Sequence, residues 1–173
     1  IDTEAYGGKA TRENPWGNPF FYRKYSEFYD GKPPHSLSEC IAQVRKRGKE
    51  FAEAMTKVYP EITLVMMHDT GWTGQDEYKL LAPFVDGMFE GLGTKATLMD
   101  GGERGYGLVT YKDFLNLRKK AEEGGRAMSQ VPEILKKMQY GFGVWIDCNS
   151  QTGGDHSPWH TAPKDVEKNY RSP

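Results

Sequence analysis

Four short stretches of this sequence end in groups able to move protons or hold a sugar: Ile1 before Asp2-Thr3-Glu4, Ile62–Met67 before His68-Asp69, Ala96–Met99 before Asp100, and Phe142–Ile146 before Asp147. A lone acidic residue at such a place is ordinarily a turn former or a helix cap. Four in succession are harder to assign to turns. Carboxylates gathered on one rim repel one another and raise each other's pKa, an arrangement that costs stability and is more expected of a functional site than of a neutral scaffold.

Two facing carboxyl groups can hydrolyse a glycoside, one protonating the leaving oxygen and the other attacking or stabilising the anomeric carbon. Glu4 and Glu103 are the longest-reaching candidates, and Asp147 competes with Glu103 for the second role. Asp2 and Glu4 are two residues apart, so an extended chain turns both to the same face, where Asp2 could orient Glu4 or raise its pKa. Glu103 follows Gly101-Gly102, which permit a sharp turn and close approach of a ligand. The remaining substrate contacts are assigned to Asp2, Tyr6, His68, Asp69, Trp72, Asp100, Tyr106 and Trp145.

Aromatic residues make up 13% of the chain, many of them in polar segments, which favours a sugar over a phosphate. Flat rings stack on pyranose faces while their polar edges reach hydroxyls. Against this, Asn18-Pro19 reads as the start of a short helix whose buried stripe would be Phe21, Tyr25 and Phe28. His68-Asp69, with Asp100 and Glu4, could instead hold a divalent metal, although a strand-end His more often orients substrate. No metal and no cofactor is assigned. Neither a Gly-x-Gly-x-x-Gly turn after a strand, nor a Walker sequence, nor a Gly-x-Ser-x-Gly elbow occurs.

The elements that must position these groups alternate. The apolar runs read as buried parallel strands, with Ile1 as the tail of a fourth. A long amphipathic helix opens at the capping box Ser36-Leu37-Ser38-Glu39, with an apolar stripe of Leu37, Ile41, Val44, Gly48, Phe51, Met55 and Val58. Gly48 on that stripe implies close approach to a sheet. A second helix is expected from about Pro83 to Glu90. A third opens at the capping box Thr110–Asp113, buries Phe114, Leu117 and Ala121, and is expected to break at Gly124-Gly125. A short helix from Pro132 to Met138 completes the set. Strand and helix in turn make the chain an α/β protein with parallel βα units, and such folds place their ligand site in the loops after the strand carboxyl ends.

The phrases Ile1-Asp2-Thr3-Glu4-Ala5-Tyr6, Leu98-Met99-Asp100-Gly101-Gly102-Glu103 and Phe142-Gly143-Val144-Trp145-Ile146-Asp147 resemble pieces of bacterial glycoside-hydrolase-like (β/α)8 barrel proteins. The resemblance extends over most of the chain. It implies a single partial domain over 1–173, about four strands of a TIM-type barrel, with earlier strands before Ile1 and a last one after Pro173. Glu4 and Asp147 would then take the rim positions of acid/base and nucleophile in the large retaining glycosidase clan. If Ile1 to Glu4 ends a fourth strand, Phe142–Ile146 is the seventh, and the sequence departs from that clan in having Asp-Thr-Glu for its Asn-Glu pair and Asp147 for Glu after the seventh strand.

Composition bounds the partners. The 173 residues suit one domain and fall short of the roughly 200–250 that close such a barrel. A net charge of -1, from 23 basic and 24 acidic residues, provides no cationic field for nucleic acid. No apolar stretch approaches the roughly 20 residues of a membrane span. Cys40 and Cys148 are too far apart in sequence for a metal knuckle and leave the compartment open; a bacterial secreted or periplasmic setting is compatible. The expected partners are an oligo- or polysaccharide substrate and the rest of the barrel. The alternatives are a non-catalytic carbohydrate-binding or structural module and a metal-dependent hydrolase.

Overall fold

A computed structural model describes residues 1–3, 20–22, 35–67, 78–102, 108 and 110–141. Their order is α1 (Leu37–Val58), β1 (Thr63–Met66), α2 (Leu81–Gly91), β2 (Thr97–Asp100), α3 (Tyr111–Met128), the one-turn α4 (Pro132–Leu135) and β3 (Gln139–Tyr140). The strands form a parallel sheet ordered β1-β2-β3, so the chain is α/β with parallel βα units.

Local chemistry starts two of the helices where it was expected. At Ser36 the Glu39 N–H donates to the Ser36 hydroxyl (3.3 Å) while the Ser36 N–H donates to the Glu39 carboxylate (2.6 Å). Thr110 and Asp113 repeat the exchange at 3.3 and 3.1 Å, so each helix satisfies two of its orphan donors reciprocally. Helix α2 begins two residues before Pro83, at Leu81, with no side-chain cap. Pro83 falls in the first turn, where a missing N–H costs nothing. The Leu80 N–H goes to the carbonyl of Phe20 (2.9 Å), whose ring lies 5.4 Å from that of Phe84. This use of the Phe20 carbonyl accompanies a correction: residues 20–22 are a turn and irregular backbone, where a helix starting at Asn18-Pro19 was expected.

The core lies between the sheet and the helices. Leu64, Met66 and Leu98 on one face of the sheet meet Ala52 of α1 and Leu81, Val85 and Met88 of α2. Each of the Leu, Val and Met side chains among them contributes about 1.5–3 kcal/mol. On α1 the buried line runs through Gly48 and Ala52, whereas Phe51 and Val58, expected on the stripe, are exposed. The expected partner of Gly48 also differs. A Cβ there would lie 2.1 Å from the carbonyl oxygen of Phe84, and one at Gly87 would lie 1.9 Å from that of Arg45. Gly48 thus lets the backbones of α1 and α2 touch each other, where a sheet contact was expected.

Helix α3 continues through Gly124-Gly125 to Met128, where a break was expected. The two glycines cost about 2 kcal/mol of intrinsic propensity. Tertiary structure overrides that cost: the buried carboxylate of Asp86 in α2 accepts from the Ser129 hydroxyl (2.6 Å) and the Gln130 N–H (2.8 Å), fixing the helix end from a distant part of the chain. Beside it, the Arg45 guanidinium donates to Gln130 (2.7 Å) and pairs with Glu90. Helix α4 stops at Leu135, short of the expected Met138, and β3 begins at Gln139, ahead of the expected 142–146, which lies outside the described residues.

Candidate active site

One row of the sheet organises the strand ends. Met66 is paired with Asp100 and Asp100 with Tyr140, both in parallel register. Ile1 extends the row on the other side, because its N–H donates to the Val65 carbonyl and its carbonyl accepts from the Met67 N–H (2.8 Å), the bonding pattern of a parallel partner of Met66. Four segments in the order Ile1, Met66, Asp100, Tyr140 therefore run in one direction with their carboxyl ends on a common edge. Backbone bonds carry the ladder one step further, from Gly101 N–H to Met66 O and from Gly141 N–H to Asp100 O, each 2.7 Å.

Side chains alternate between the two faces of such a sheet. Ile1, Leu64, Met66, Leu98 and Tyr140 belong to the face that packs on the core. Asp100 shares that parity and is buried to 1% relative exposure, its Oδ1 accepting the Gly102 N–H at 3.0 Å. Asp2, Val65 and Met67 have the opposite parity and are exposed. The two described members of the expected site, Asp2 and Asp100, thus share an edge of the sheet but occupy different faces.

The turn after β2 depends on its glycines. Gly102 has φ 58°, a left-handed conformation that glycine adopts without strain, and a Cβ on Gly101 would stand 2.5 Å from the Met66 carbonyl oxygen. Asp100 closes this turn with its side chain, so its visible work is to aim the backbone that leads to Glu103. Glu4, Tyr6, His68, Asp69, Trp72, Glu103, Tyr106, Trp145 and Asp147 lie outside the described residues.

Two polar groups at this edge were not singled out from sequence. The Thr3 hydroxyl is buried without a hydrogen-bond partner among the described residues. Tyr140 is half-buried, with the Arg118 guanidinium 5.8 Å from its ring centroid. Burial, and then the charges of Asp100 and Glu122, push its phenol up to about 12. Thr3 could have been found by its parity with Ile1. Tyr140 was hidden by Gly141, which reads as punctuation before the apolar run.

Grooves formed by described residues lie away from this edge. One, about 730 Å³, is at the start of β1 between Val58, Tyr59, Pro60, Ile62 and Lys95. Among the described residues no three His, Cys, Asp or Glu side chains group as metal ligands would. No helix among them is long and apolar enough to cross a membrane. Comparison with protein-family models, with curated proteins and with solved structures returns no match.

Proposed function

We propose that this chain supplies neighbouring βα units of a TIM-type barrel, similar to the bacterial glycoside-hydrolase-like proteins, and that carboxylates following its strands cleave the glycosidic bonds of an oligo- or polysaccharide. The observation that carries the reading is the parallel row Ile1–Met66–Asp100–Tyr140, with Asp2 exposed on the face opposite the helices. In a barrel that face is the inner one, and active sites sit at the carboxyl ends of the strands.

Counting along the sequence from the row supports particular residues. Glu4, Asp69 and Glu103 each stand only three positions past their row member. Asp147 stands seven past Tyr140, which in a fully extended chain would be about 23 Å beyond the row. The count favours Glu103 over Asp147 as the second carboxylate. Glu4 is then the proton donor, Asp2 its neighbour on the same face, and Glu103 the nucleophile or base, roughly 5–5.5 Å from Glu4 in a retaining enzyme or 6.5–9.5 Å in an inverting one. His68, Asp69, Tyr6, Trp72, Tyr106 and Trp145 contact the sugar. Asp100 acts by holding the Gly101-Gly102 turn. No cofactor takes part.

A second reading, a carbohydrate-binding or structural module without turnover, is favoured by one observation: a groove of about 730 Å³ lies at the opposite end of β1 from Met66. Glu4→Gln assayed against α- and β-glycosides separates the two. An enzyme loses turnover and keeps binding, whereas a module binds and never turns over.

A further inference from the structure

We draw no further inference here: the strongest candidate, the uncovered face of the sheet around Val65 and Met67, carries nothing because nothing in the structure shows what covers it.

Discussion

Asp100 and Tyr140 are paired across β2 and β3 on the helix-covered face of the sheet, and the Arg118 guanidinium of α3 lies over the Tyr140 ring. Burial, and then the charge of Asp100 in the adjacent strand, makes ionisation of the phenol costly. Tyr140 therefore titrates at about 12 in the folded chain, above its ordinary value of 10.0. A raised folded pKa stabilises the protein fully below the unfolded value, and this contribution is lost as pH rises from about 10 to about 12. Tyr140→Phe should remove one late step from a phenolate absorbance titration and shift alkaline unfolding to higher pH. A Tyr140 that titrates together with the exposed tyrosines would contradict the burial argument.

The carboxylates at the other extreme behave oppositely. The Ser36 N–H and hydroxyl hold the Glu39 carboxyl below the usual range, and the hydrogen bond from Arg45 does the same for Glu90. Depressed folded pKa values stabilise above the unfolded value and are lost as pH falls through the folded one. Helicity followed by circular dichroism should decline on acidification below the ordinary glutamate range. Ser36→Ala should blunt that decline, and at neutral pH it should cost about 0.5–2 kcal/mol as the loss of a helix cap. An acid transition identical in both proteins would show that the Ser36 hydroxyl contributes nothing to it.

Asp86 is buried to 1% relative exposure and accepts from Ser129 and Gln130. Asp86→Ala leaves a part-buried hydroxyl and a part-buried N–H without their charged acceptor, and should destabilise by about 1–3 kcal/mol in chemical denaturation. Asp86→Asn, which keeps one oxygen acceptor, should lose less. Equal losses in the two variants would mean that the hydrogen bonds are not the source of the effect.

Glycine substitutions should divide by environment. Gly87→Ala places a Cβ 1.9 Å from the Arg45 carbonyl oxygen, so α1 and α2 must separate, at about 1–3 kcal/mol despite the better helix propensity of alanine. Gly124→Ala, half-buried within α3, should gain about 0.5–1 kcal/mol from the restricted unfolded chain. Thermal unfolding of both variants checks the pair. A tolerated Gly87→Ala would overturn the backbone contact.

What the sequence made legible was what local chemistry decides. Ser36 with Glu39 and Thr110 with Asp113 announce their helices because cap and partner lie three residues apart. The apolar runs around Leu64 and Leu98 announce β1 and β2. What stayed hidden depends on distant partners. Gly48 signals close approach but not against what, and the continuation of α3 past Gly124 depends on Asp86, a residue of another helix. The face taken by Asp100 was readable in principle, since buried Leu98 two residues earlier fixes its parity. Its acidic character, at the end of an apolar run, drew it instead toward the rim. Most of the expected site falls outside the described residues.

The central claim, hydrolysis by carboxylates beyond that row, is tested most directly by turnover of α- and β-linked glycosides by the full chain and by its Glu4→Gln, Glu103→Gln and Asp147→Asn variants, with sugar binding measured in parallel. The unaltered protein should cleave one linkage, Glu4→Gln and Glu103→Gln should each lose about 10²–10⁴-fold in rate while still binding sugar, and Asp147→Asn should lose far less. Absence of hydrolysis by the unaltered protein on either anomer, or unchanged turnover in Glu4→Gln, would contradict that claim.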